Sequence, residues 1–204
     1  MAATTRGRQR RGDRTRHAIL DATLELVGAG GPRAVTYRAV AERAGVALGQ
    51  MTYHFRKHVD LLAAAFERHQ AQLREAAHAL PVAAIASIPA KERTAIVVDF
   101  LRVLATTDRL RYLAEFELSL EMARDEEIRR RLTPATMVTY DAAVELLEAA
   151  HSPNPEADAT LMSAAMEGLL LAWLARPDDR AQERRIEGAV ARLLELVAPA
   201  TTDD

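Results

Sequence analysis

Apolar residues in this chain return at three- and four-residue intervals, and no stretch alternates singly as a half-buried strand requires. Ile19, Ala22, Leu26 and Val27 share one face of a helix that starts near Thr15 and stops at the cluster Gly28, Gly30, Gly31 and Pro32. A short second helix follows. Thr36 offers a side-chain oxygen as its cap, Tyr37, Val40, Ala41 and Ala44 keep helical spacing, and Gly45 permits a sharp turn. A third short helix runs from about Ala47 to His54. Asp60 can cap a fourth, along which Leu61 to Leu80 keep helical spacing with charges on the outer face. Pro81, Pro89, Pro134, Pro153, Pro155, Pro177 and Pro199 then punctuate the remainder into segments that all read as helices.

Two short helices joined over a three- or four-residue turn form a helix-turn-helix, whose second helix projects its first residues into the major groove of DNA. Gly45, Val46, Gly49, His54, Phe55 and Leu61-Leu62, with the helix over 15–28 upstream, resemble the tetracycline-repressor (TetR) family of bacterial transcriptional regulators. The close resemblance covers roughly the first quarter of the chain, and the rest matches as an acidic, Ala- and Leu-rich helical body of suitable length. Three departures stand out. Ala47 sits where the family usually has a small hydroxyl residue, Thr52 where it has an aromatic, and His58-Val59 where it has a Lys-Glu pair. The resemblance implies an all-α protein with an N-terminal three-helix head and a C-terminal helical ligand-binding and dimerisation bundle. It divides the chain into a basic arm (1–14), a helix-turn-helix domain (15–58) and an effector-binding and dimerisation domain (59–204).

Charge follows the same division. Residues 1–57 hold 11 Lys and Arg against 4 Asp and Glu, whereas residues 58–204 hold 16 against 25. A basic end on an acidic body suits docking of a polyanion through one small region. The arm, with Arg6, Arg8, Arg10, Arg11, Arg14 and Arg16 opposed only by Asp13, is too charged and Gly-punctuated to fold alone, so disorder without DNA is expected. It either tracks phosphates and a minor groove or is a solvated terminus. The chain has no cysteine, which excludes disulfides and thiolate metal sites. No apolar run approaches the roughly 18 residues needed to cross a bilayer, and the Arg-rich start lacks a secretory apolar core, so a soluble cytoplasmic protein is expected.

The resemblance assigns the operator contacts to Thr36 and Arg38 around the second helix, and to Ala47, Leu48, Gln50, Met51, Thr52, Tyr53, His54, Lys57 and His58 in and after the third. Gln50 matches an adenine edge and Arg38 a guanine edge in bidentate geometry, and Leu48 suits a thymine methyl. Tyr53, His54 and Lys57 suit phosphates. Met51 and Phe55 also fit as plugs that lock the three helices. His54 and His58 are spaced for a metal on one continuous helix, but no third ligand lies near, and no metal or cofactor is expected.

In the body, the segment from Asp108 to about Arg124 places Leu110, Leu113, Phe116 and Leu120 on one stripe, with Glu117 inside it. A carboxylate facing a core needs a partner. That partner is an arginine, Arg124 or one on another helix, or it is an effector in a cavity lined by Tyr112, Phe116, Glu117, Leu120, Met137, Tyr140, Met166 and Trp173, with Met162 nearby. Ordinary core packing explains the Met and aromatic positions equally. The segment 159–175 is apolar nearly all round and must be covered on more than one side. With the last helix, Asp179 to Val197, it resembles the family's dimer interface, built here from Leu161, Ala165, Gly168 and Leu170 together with Ile186, Val190, Leu193 and Val197.

The expectation is therefore a ligand-responsive homodimeric regulator, a repressor of a palindromic operator released by a small-molecule effector. The alternatives are a helical small-molecule-binding or scaffold protein that never touches DNA, and an all-helical enzyme. An enzyme finds no Gly-rich phosphate loop, no GxSxG elbow, no zinc-ligand spacing and no carboxylate dyad here; Glu126-Glu127 and Asp178-Asp179 read as helix-start charges.

Overall fold

Capping groups and glycines set the helix boundaries in the computed structural model, which describes residues 2–79 and 88–197. The elements are α1 (Ala2–Gly30), a 3-10 turn (Pro32–Ala34), α2 (Tyr37–Ala44), α3 (Leu48–His54), α4 (His58–His78), α5 (Ala90–Thr106), α6 (Arg109–Arg124), α7 (Glu126–Ala149), α8 (Pro155–Ala175) and α9 (Arg180–Val197). No strand occurs among the described residues. Thr36 caps α2 by accepting from the Ala39 N–H at 3.1 Å. Gly45 ends α2 at φ 65°, in the left-handed region where glycine carries no Cβ penalty. Asp125 accepts from the N–H groups of Glu127 and Ile128 at the start of α7, and Asp179 does the same for Ala181 and Gln182 at the start of α9.

Several boundaries differ from the sequence expectation. Helix α1 starts at Ala2, not near Thr15, so the stretch expected to be a disordered arm continues the helix; its Ala, Arg and Gln residues are good helix formers that outweigh two glycines. It also runs through Gly28 to Gly30, because Gly28 serves packing and not a turn. Helix α4 starts at His58, which puts Asp60 inside its first turn as a partner of Arg131 on α7 and not as its cap. Pro134 lies within α7 and does not end it. Leu80, Pro81 and Pro199 lie outside the described residues.

Packing divides the chain into two compact units: residues 1–70 with 110–135, and residues 71–109 with 136–204. The first therefore holds more than the expected head, taking in the first half of α4 and nearly all of α6. Its core joins Ile19, Leu20, Leu24 and Val27 of α1 to Val40 of α2, Met51 of α3, Phe55, and Leu61, Leu62 and Phe66 of α4, with Ala114 and Leu118 of α6 and Leu132 of α7. The buried side of α6 thus runs through Ala114 and Leu118. The stripe read from the sequence is displaced from it, and Leu120 is half exposed. The carboxylate turned to the interior is accordingly Glu115, which accepts from the Gln70 amide at 2.9 Å and meets the buried His69 ring at 3.2 Å. Asp21 of α1 binds both Arg111 of α6, at 3.2 Å, and Arg68 of α4, at 3.4 Å.

In the second unit α5, α8 and α9 pack together. Leu147, Ala159, Leu193 and Val197 form a core cluster against which Tyr140, Val144, Met162 and Met166 pack. The Arg102 guanidinium lies over the Trp173 ring, 5.6 Å from its centroid, and donates to Glu183 at 2.6 Å. Helix α8 corrects the expectation that no run could cross a membrane: by length and composition it is long and apolar enough. Its Ala159, Leu170, Trp173 and Leu174 are buried within this unit, whereas most of the helix is half-buried or exposed.

Candidate nucleic-acid interface

Seven residues make α3 too short to be stable alone, so its position depends on anchors at both ends. Met51 is fully buried and Phe55, the residue that ends the helix, is buried beside it. Arg16 of α1 stacks over the Phe55 ring at 5.7 Å. With Met51 inward, helical geometry turns Leu48, Gln50, Thr52 and Tyr53 outward. Leu48 is 52% exposed and Tyr53 84%, values that leave two large side chains without a place in the core of this chain. Arg38 on α2 and Arg56 and Lys57 after α3 are exposed as well. A face of this kind, exposed polar and apolar groups flanked by cations on the second helix of the pair, has the composition for base edges and phosphates.

The structure separates the expected contacts into groups. Leu48, Gln50, Thr52, Tyr53, Arg38 and Lys57 are on the outside. Met51 is not: it is a core plug, since the same helical spacing that exposes Gln50 and Thr52 turns position 51 inward. Thr36 and Ala47 occupy the N-cap positions of α2 and α3. Alanine cannot cap through its side chain, and the Gln50 side chain instead accepts from the Ala47 N–H at 3.1 Å, one half of a capping box. His58 is engaged structurally, its Nε2–H donating to the Val35 carbonyl at 2.7 Å. The half-buried His54 ring meets Tyr53 edge-on at 5.1 Å. Arg56 is absent from the contacts expected from sequence; its only signal there is a second cation beside Lys57.

The expected effector residues fall into both units. Tyr112, Phe116, Glu117 and Leu120 belong to the first, while Met137, Tyr140, Met166 and Trp173 belong to the second. Tyr112 is buried with its ring edge-on to His69 at 5.4 Å. The Glu117 carboxylate lies against Gly31, and Arg124 pairs with Glu121 instead of with Glu117. Leu120 and Met137 are about half exposed. Tyr140 and Met166 pack on one cluster, and the Tyr140 hydroxyl donates to the Glu156 carbonyl at 3.2 Å. A hollow of about 300 Å³ in the second unit opens elsewhere, between α5 and α9, and its wall is largely charged: Asp99, Arg102, Arg180, Glu183, Arg184 and Glu187.

Of the expected dimer contacts, Leu170, Ile186, Val190, Leu193 and Val197 are buried by their own chain and are not available to a partner. A stripe at helical spacing shows that a face is covered but not by what. On α8 the exposed apolar line is instead Leu161, Ala164, Gly168, Leu171 and Ala175, with Ala165 half-buried beside it.

Two family models match the chain: bacterial regulatory proteins of the tetR family over residues 19–65, and the tetracyclin repressor-like C-terminal domain over residues 89–196. The chain belongs to the TetR family. The model over the N-terminal part is that of bacterial regulatory proteins. The HTH-type transcriptional repressor KstR of Rhodococcus jostii is 53% identical over 53 residues, which are 26% of this chain and 25% of that protein. The chain thus matches only about a quarter of that relative's length. A TetR-family transcriptional regulator from a Rhodococcus species shares the fold at TM-score 0.69 and 23% identity, over 91% of this chain and 99% of the other. The multidrug binding protein EbrR, solved with proflavin, aligns at TM-score 0.60 and 27% identity, over 88% of this chain and 99% of the other.

Proposed function

We propose that this TetR-family chain is a ligand-responsive repressor that binds a palindromic operator as a homodimer in the cytoplasm and is released by a small molecule. The observation that carries the reading is the outward face of α3, Leu48, Gln50, Thr52 and Tyr53, flanked by Arg38, Arg56 and Lys57. Core packing does not account for exposed groups as large as Leu48 and Tyr53, and the set as a whole holds the residue types that read base edges and phosphates. Thr36, Ala47 and His54 add backbone or side-chain contacts to phosphates from the rim of the same face.

The dimer reading is supported by the exposed apolar line Leu161, Ala164, Gly168, Leu171 and Ala175 on α8, together with the half-exposed Leu196 on α9. Small residues along such a line let a second helix approach closely, and two-fold pairing supplies two heads for two half-sites. For the effector, the proflavin complex of EbrR supports a small organic molecule as the kind of ligand. The proposed site here lies by Tyr140, Met162 and Met166, where aromatic and thioether groups offer an apolar lining. Release of DNA requires that the effector prefer the conformation unable to bind the operator.

Selection of duplexes from a random pool tests the reading. Enrichment of one palindromic sequence supports it, and a pool that stays unselected at low salt contradicts it.

A further inference from the structure

Gln50 faces outward with half of its amide already engaged. A backbone N–H is a donor only, so the 3.1 Å contact with Ala47 fixes the Gln50 Oε1, not Nε2, on the backbone. Position 47 has no side-chain oxygen to make the reciprocal bond, which leaves Gln50 as the side chain that satisfies a terminal N–H at this end of α3. Thr52, on the same exposed face, is constrained in the same sense. Its hydroxyl donates to the Gly49 carbonyl at 3.1 Å, so its lone pairs and methyl group point outward without a free proton.

We propose that Gln50 reads the operator as a hydrogen-bond donor through Nε2, with Thr52 as an acceptor and methyl surface beside it, so that guanine and not adenine stands opposite Gln50. The proposal rests on the DNA-binding reading and adds the base. In the major groove guanine presents two acceptors, O6 and N7, whereas adenine presents the N7 acceptor and the N6 amino donor. An amide with both ends free matches adenine bidentately. Here Oε1 would have to leave the Ala47 N–H to accept from N6, so the second bond to adenine is made only by giving up the capping bond. Guanine asks for no such exchange, because Nε2 donates to it while Oε1 stays on the backbone.

The test is selection from a random duplex pool with the full-length wild type, Gln50→Glu and Gln50→Ala. Glutamate keeps an acceptor for the Ala47 N–H and removes the donor. The base that responds to either variant identifies the position opposite Gln50. Guanine there in the wild-type pool, replaced by cytosine with Gln50→Glu because the cytosine N4 amino group donates, supports the proposal. So does a loss of about fivefold or more in wild-type affinity when that guanine is changed to adenine, a measurement that needs no variant beyond the one that locates the position. Adenine at the responding position overturns it. Variant pools identical to the wild-type pool also overturn it, since Gln50 then only caps α3. An unselected wild-type pool removes the DNA-binding reading itself and is distinguishable from both.

Discussion

Gly28 on α1 and the Leu110 backbone at the start of α6 are in such close contact that a Cβ on Gly28 would overlap the Leu110 carbonyl oxygen and stand 2.7 Å from its carbonyl carbon. The obstacle is main chain, which cannot rotate away as a side-chain tip does. Two effects of Gly28→Ala therefore oppose one another. Alanine gains about 1 kcal/mol of helix propensity, while overpacking against rigid backbone costs about 1–3 kcal/mol or more. The clash is expected to win, lowering the melting temperature by several degrees; a stabilised Gly28→Ala protein would show that α1 and α6 do not pack this closely.

Tyr37 offers a contrary case. Its hydroxyl oxygen is buried with no hydrogen-bond partner among the described residues, and burial, then the nearby Asp60 charge, pushes the phenol above its usual range. An unsatisfied buried polar group stabilises nothing, so Tyr37→Phe is expected to leave the melting temperature unchanged or raise it. A drop equivalent to more than about 1 kcal/mol would mean that the hydroxyl has a partner in solution.

Asp179 gives the fold an acid-sensitive helix cap. The N–H groups of Gln182 and then Ala181 hold its carboxyl below the ordinary carboxylate range. A pKa lower in the folded than in the unfolded chain means that the unfolded chain binds the extra proton. The contribution is therefore complete above the ordinary Asp value, about 3.9, and is lost as pH falls through the lowered folded value. Melting temperatures of wild type and Asp179→Asn should differ most near neutrality and converge in acid; a gap that ignores pH would remove the carboxylate from this role.

The proposed dimer separates two classes of leucine and valine. Glutamate at Val190, fully buried, is expected to unfold the second unit, because an unpaired charge in a core costs several kcal/mol. Glutamate at Leu171 and Leu196, each about half exposed, is expected to leave the circular dichroism intact and yield monomers in sedimentation. Monomeric wild-type protein at micromolar concentration would contradict the dimer.

Local rules specify the head more fully than the body. The Thr36 cap, the Tyr37–Ala44 helix and the left-handed Gly45 depend on neighbours in sequence, so the residue order alone makes them legible. Met51 is ambiguous in sequence because a residue flanked by exposed positions on a short helix satisfies both a core and a surface pattern. Gly28 reads as punctuation because a sequence cannot distinguish a glycine needed for a turn from one needed for close approach. In α6, apolar and charged residues are spread around the helix, and the wheel therefore selects Glu117 where tertiary packing turns Glu115 inward. The α9 stripe is covered as its periodicity requires, but its cover is the same chain, a fact that only long-range packing reveals.

The central claim, that the α3 face with Arg38, Arg56 and Lys57 grips an operator, is tested most directly by titrating the selected duplex and a scrambled one with the protein across a salt series. Two chains per selected duplex are expected, with weaker binding of the scrambled duplex and log affinity that falls linearly with log salt as phosphate counterions are released. Lys57→Ala should weaken both duplexes alike and reduce the slope by about one, whereas Arg38→Ala should narrow the gap between them. Equal affinity for the two duplexes, or an affinity indifferent to salt, would show that this face does not grip an operator.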